Sequence, residues 1–171
     1  MPRYSDLQRY DIDCVSIKLV KEAMSLKSNR CLDSPKTVAR AVYKYFSAMD
    51  RESCIVLNVD VKSVPINYNV VSVGTISNTP VVPRELLKSA ILSNAYGIIM
   101  VHNHLSGGNP TPSRDDISVT MRVSRACEII GVKLLDHIII GNTRRRYYSF
   151  LQDGYIRDDN ESERIYRIDE W

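Results

Sequence analysis

A chain of 171 residues, 44% apolar and 25% charged, has the composition of an ordinary globular protein. It is long enough to bury about two-thirds of its unfolded surface as one domain. The net charge of +3 is too small to argue for nucleic acid by itself, and no apolar run approaches the roughly 18 residues of a membrane span.

The first residues, MPRYSDLQRYDID, lack the apolar core of a signal peptide, so the protein is expected in the cytoplasm, with no membrane partner. Cys14, Cys31, Cys54 and Cys127 are scattered, with no CxxC pair; they read as reduced, partly buried thiols rather than a disulfide frame or a zinc knuckle.

Residues 1–33 read as a polar arm followed by a first strand, because Val15 to Val20 alternates apolar and polar positions. A helix starts at Ser34-Pro35, with Ser as N-cap and Pro at the first helical position. Val38, Ala41, Val42, Tyr45 and Phe46 form its apolar face, to about Met49. Cys54 to Asp60 is apolar enough for a central strand. Residues 61–67, with Pro65 inside, read as a turn, and Val70 to Ile76 as the partner strand of a long hairpin. Pro83 opens a second helix over Arg84 to Ser93. Gly97 to Val101 is a short, wholly apolar, buried strand. Ser113 to Ile130 is a long helix stopped by Gly131, and Val132 to Ile140 and Arg146 to Ser149 make two further strands. The expected plan is a folded body over residues 34–154 and a polar tail over 155–171. Strands mixed with helices in one layered domain predict an α/β (or α+β) fold with helices flanking a mixed sheet.

The chemistry concentrates between Met100 and Asp116, MVHNHLSGGNPTPSRDD. Residues i and i+2 of a strand face the same side, so His102 and His104 converge where a buried strand gives out into a loop. A carboxylate from the first turn of the next helix can close a third corner. Two histidines, one carboxylate and an open position for water suit a catalytic zinc site, whereas a structural site is closed by four protein ligands. Asp115 and Asp116 lie about 100° apart around the helix, so only one can face the histidines. Ser113-Arg-Asp-Asp116 is also a capping-box pattern that needs no metal; both roles can hold, because a carboxylate ligand gains from a helix N-terminus. Asn103 faces the other way and reads as structural.

A hydrolytic site also needs a proton acceptor, for which Glu52 at the start of a core strand is the candidate. His137 reads as a fourth ligand, a residue oriented by Asp136 behind the ligands, or simply a satisfied histidine at a strand start. Arg144-Arg145-Arg146, with Arg114, Arg122 and Arg125, forms either an anionic-substrate patch or a solvated loop.

These residues carry a family resemblance. HNHLSGGNPTPSRDDISVT, with VVSVGTIS and VPRELLKSAILSNA before it and GVKLLDHIIIGN after, resembles the RadC-like branch of the JAB/MPN metalloprotease-like domains, from about Ser34 to Gly154. The family pattern is Glu, then His-x-His, seven residues, Ser, two residues and Asp. The resemblance implies a JAB/MPN-like layered architecture of the cytidine-deaminase kind, with Zn2+ as cofactor. It implies His102, His104 and an aspartate as metal ligands, Glu52 as general base and Ser113 as support for an oxyanion. Two departures stand out: Leu105 replaces the usual Pro, and eight residues separate His104 from Ser113. Counting from His104 selects Asp115; counting from Ser113 selects Asp116, and the helix spacing favours Asp116. Zinc deaminases share the layered architecture but need His-x-Glu and Pro-Cys-x-x-Cys, which are absent.

The expected function is zinc-dependent hydrolysis of an amide or isopeptide bond in a peptide partner, in a family whose name is tied to DNA repair. The alternative is a non-catalytic binding or scaffold domain in DNA maintenance or a mobile element, with DNA as partner.

Overall fold

Two runs without a single exposed residue, at 53–59 and 97–103, supply the middle of the sheet, because only strands covered on both faces are buried at every position. The computed structural model describes residues 13–28, 30–74, 81–104, 109–143 and 145–156. Its elements are α1 (Pro35–Phe46), β1 (Ser53–Val59), β2 (Pro65–Val73), α2 (Pro83–Leu92), β3 (Gly97–Asn103), α3 (Arg114–Ile130), β4 (Lys133–Ile140) and β5 (Tyr147–Ser149). The strands form one mixed sheet in the order β2-β1-β3-β4-β5. Only β3 and β4 run parallel, joined by the crossover through α3; the other neighbours are antiparallel.

Alternation along the strands splits the core in two. Cys54, Val56, Ile98 and Met100 pack with Leu86, Leu87, Val119 and Val123 from α2 and α3. Ile55, Leu57, Ile99 and Val101 pack with Val38, Val42 and Phe46 from α1. The result is a sheet with two helices on one face and one on the other, the mixed α/β layering expected from the sequence. Period two then puts His102 on the α2/α3 face with Met100.

The local signals act as expected at the helix ends. Ser34 caps α1 in a capping box with Thr37, and Gly131 ends α3 in the left-handed conformation at φ 79°.

Two expectations are corrected. Val15 to Val20 is not a strand: these residues carry no sheet pairing, and Val15, Ile17 and Val20 are well exposed. Alternation records a half-buried strand only where a sheet edge lies alongside to complete the ladder. The turn of the first hairpin is shorter than expected, because β2 starts at Pro65. Asp60 makes this possible by accepting the backbone N–H groups of Lys62 and Val64, both at 2.8 Å, while Ser63 takes φ 57°. Pro65 is tolerated as the first residue of an edge strand. Strand β2 ends at Val73, and Ile76, like the tail from residue 157, lies outside the described residues.

Candidate metal centre

The C-terminal end of β3 and the first turn of α3 meet at one corner of the sheet, on the face covered by α2 and α3. His102 is the penultimate residue of β3, and His104 follows the strand with its N–H bonded to the Ile140 carbonyl at 3.2 Å. Their rings lie 4.9 Å apart, with 3.0 Å between the two Nε2 atoms. Asp116 reaches in from α3, with Oδ1 3.1 Å from His102 Nε2 and Oδ2 3.3 Å from His104 Nε2. Asp115, one residue earlier, is exposed.

These spacings can be tested against a metal. A tetrahedral ion bound at about 2.1 Å sets donor–donor edges of about 3.4 Å. The two Nε2 atoms lie 3.0 Å apart, just inside that value, and each faces a different oxygen of the Asp116 carboxylate, Oδ1 at 3.1 Å from His102 and Oδ2 at 3.3 Å from His104. Two imidazoles and a carboxylate suit zinc and other borderline divalent cations. His102, His104 and Asp116 are the one such group among the described residues, their donor atoms all within 4.8 Å of one another. The donor set fits a divalent metal of that class.

Ser113 holds Asp116 in place. Its backbone N–H and its hydroxyl both donate to Asp116 Oδ2 at 2.7 Å, and the Asp116 N–H returns a bond to the Ser113 hydroxyl at 3.1 Å. The capping box and the candidate carboxylate ligand are therefore the same pair of residues. Burial acts to raise the Asp116 carboxyl, but the His102 and His104 imidazoles at 3.1 and 3.3 Å, with the Ser113 hydrogen bond behind them, outweigh it and hold the group well below the usual carboxylate range. Burial likewise opposes protonation of His104. The Asp116 hydrogen bond and charge, the Glu52 charge and the Asn109 backbone overcome it and raise that pKa.

Glu52 precedes β1 and is half-buried, near enough to His104 for its charge to be felt. Its neighbours are tied down. Asn103 turns its side chain away from the histidines, accepting the Ser53 N–H at 2.8 Å and donating to the Arg51 carbonyl at 3.2 Å. The Glu52 carbonyl itself accepts the Gly74 N–H at 2.9 Å. Asn103 thus brackets Glu52 and fixes the strand start against β3.

Residues 32–155 match the family model for the RadC-like JAB domain. The chain belongs to the RadC-like JAB family. It is 41% identical over 128 residues to a "UPF0758 protein" of Methanosarcina acetivorans, covering 75% of this chain and 55% of that protein. It is 44% identical over 116 residues to a "UPF0758 protein" of Thermotoga maritima, covering 66% of this chain and 51% of that one. The chain spans about half the length of the curated relatives it matches.

In this JAB domain His137 stands behind the metal-facing histidines rather than among them. It is fully buried, with Nε2 2.8 Å from His102 Nδ1 and Nδ1 2.6 Å from the Thr120 hydroxyl. Burial and the neighbouring His102 push its pKa well below the ordinary value. The expectation that Asp136 orients this ring is corrected. Asp136 accepts the backbone N–H groups of His137 and Leu151 and the hydroxyl of Ser149, so it pins the turn after β5 instead. Burial raises the Asp136 carboxyl to about 6 in spite of those donors.

Thr120 is the residue that sequence reading missed. It sits four positions after Asp116, the helical spacing that puts two residues on one face, and that spacing was the available signal.

The basic residues divide between the two faces. Arg145 lines a cleft with Lys36, Arg40 and Tyr147 on the α1 side, while Arg114, Arg122 and Arg125 are exposed on α3, across the sheet. They do not form one patch with Arg145, and Arg144 lies outside the described residues.

Proposed function

We propose that this domain is a zinc-dependent hydrolase acting on an amide or isopeptide bond. The observation that carries the reading is the cluster of His102, His104 and Asp116, whose donor atoms all lie within 4.8 Å of one another. Zinc held there would polarise the scissile carbonyl and lower the pKa of a water towards about 7.

The chain's own residues take the remaining roles. Glu52, carrying negative charge beside His104, takes the proton of the attacking water and returns it to the leaving nitrogen. Ser113 holds Asp116 through its backbone N–H and hydroxyl; to support the oxyanion that develops on the carbonyl, that hydroxyl would turn its single proton from Asp116 to the substrate. The bracket made by Asn103 ties down the backbone on either side of Glu52, the fixed placement that general-base catalysis requires.

The test is a pair of measurements on Glu52→Gln. Zinc content, about one per chain, should match the unaltered protein, while hydrolysis of isopeptide-linked and linear peptide substrates falls at least about 100-fold. Loss of zinc in this variant would remove Glu52 from the role of base. Absence of zinc in the unaltered protein, even when offered, would remove the hydrolase reading.

A second reading has its own observation. Two adjoining clefts, of about 770 and 420 Å³, share Arg40 and are lined by Lys36 and Arg145 in one and Lys27 and Arg30 in the other. None of these five cations is in a salt bridge among the described residues. Such a groove suits the phosphodiester backbone of DNA, in a domain that binds without turnover. Zinc-free protein should then bind an oligonucleotide with strong salt dependence, weakened by Arg40→Ala and indifferent to Glu52→Gln. Binding unchanged in Arg40→Ala would dismiss the groove.

A further inference from the structure

We infer that Thr120 and His137 form a relay that fixes the tautomer of His102, and so make its Nε2 available to metal. The inference rests on the metal reading above. It concerns two residues that touch neither metal nor substrate and act by positioning.

The direction of the relay follows from one fixed point. The Thr120 hydroxyl lies 2.6 Å from the Asp116 carbonyl oxygen and 2.6 Å from His137 Nδ1. A carbonyl oxygen only accepts, so the single hydroxyl proton points at Asp116 and the hydroxyl oxygen must accept from His137. His137 therefore carries its proton on Nδ1, leaving a lone pair on Nε2. That lone pair faces His102 Nδ1 at 2.8 Å, so His102 donates from Nδ1. The proton of the neutral His102 ring is then on the far side from Asp116 and His104. Nε2, the atom 3.0 Å from His104 and 3.1 Å from Asp116, keeps the lone pair that a metal needs.

The reverse assignment shows what the relay prevents. If Thr120 turned its proton to His137 Nδ1, His137 would donate from Nε2 and His102 would carry its proton on Nε2, where it blocks coordination. The Asp116 carbonyl would also face a hydroxyl oxygen at 2.6 Å with no proton between them, whereas in the relay the gap between His102 Nε2 and Asp116 Oδ1, 3.1 Å, is the place the metal would take.

Packing holds the parts in register. His137 is fully buried and stacks on Phe150, with centroids 4.5 Å apart and planes inclined by 8°. Thr120 is 1% exposed, so no water competes for its hydroxyl. The relay also closes on itself. It starts at the main chain of Asp116, whose side chain forms one corner of the triangle, and ends at His102, which forms another. A metal-binding histidine commonly gives its second N–H to a carboxylate, a carbonyl or water. Here a third histidine takes it, and the backbone of another corner residue sets that histidine's own tautomer.

The test compares Thr120→Val, which keeps the shape and removes the hydroxyl, with Thr120→Ser, which keeps the hydroxyl. Zinc affinity is read by chelator competition, and the protonated ring nitrogens by 15N NMR of the histidines with and without zinc. Thr120→Val should weaken zinc binding by roughly 10- to 100-fold, with Thr120→Ser within about three-fold of the unaltered protein. The unaltered protein should show Nδ1–H on both His102 and His137. Unchanged affinity in Thr120→Val, an equal loss in Thr120→Ser, or an Nε2–H signal on His102 in the zinc-loaded protein would each overturn the relay. Should the unaltered protein bind no zinc, the hydrolase reading fails, while the NMR of the metal-free protein still decides the relay by the same proton positions. Should Thr120→Val fail to fold, Thr120→Ser and the NMR decide it.

Discussion

Asp136 shows how much one buried carboxyl can do away from the candidate centre. Three hydrogen bonds hold it between β4 and the turn after β5, yet burial keeps its pKa near 6. A carboxyl whose folded pKa is raised binds its proton more tightly when folded. Its effect on stability is therefore most favourable below the unfolded value near 4 and declines as pH rises through about 6. The decline is on the order of 3 kcal/mol, since each pKa unit is worth about 1.4 kcal/mol. Asp136→Asn keeps an acceptor for the two N–H groups and removes the titration. Urea unfolding of both proteins between pH 4 and 7 should show the unaltered chain losing stability relative to the variant as pH rises. A constant difference would mean that Asp136 does not titrate in this range.

At the scale of elements, the two capping boxes offer a matched comparison. Ser34→Ala and Ser113→Ala should each cost about 1 kcal/mol in thermal or urea unfolding, because each removes an acceptor from a helix N-terminus. Only Ser113→Ala should also weaken zinc binding, since Ser113 alone fixes a carboxylate of the triangle. Equal zinc affinity in both variants would reduce Ser113 to a cap.

Both N-caps were legible, and at Ser113 the capping box as well, because a cap is written within four consecutive residues. So was the facing pair His102 and His104, which needs only the period of a strand. His137 was visible as a residue but not in its role, because its partners arrive from β3 and α3 and not from its own neighbour Asp136. The strand expected at Val15 to Val20 failed for a related reason. Alternation is local, whereas the sheet edge that would pair with it is not. Glu52 lay between these cases: its place at the head of β1 could be read, but not the bracket from Asn103, 50 residues beyond its donor Ser53.

For the whole molecule, a metal that binds the folded chain and not the unfolded one adds to stability by mass action. Zinc at 100 times its dissociation constant should add about 2.7 kcal/mol. For a chain of this size that raises the unfolding temperature by roughly 5–10 °C. A chelator should reverse the gain, and His102→Ala should show neither effect. A rise of equal size in His102→Ala would place the zinc elsewhere. No helix among the described residues is long and apolar enough to cross a membrane.

The buried cysteines give the folded chain a built-in clock. Burial, and for Cys54 the nearby Asp116 charge, pushes both Cys54 and Cys127 up to about 12. At neutral pH that leaves roughly one thiol in 100,000 in the reactive thiolate form, whereas Cys14 is exposed and Cys31 partly so. An alkylating reagent would mark the outer pair at once and the inner pair only as their elements come away. Cys54 of β1 pairs with His102 of β3, and Cys127 lies in the last turns of α3. The order in which the inner pair is marked would report whether the strand or the helix leaves the centre first.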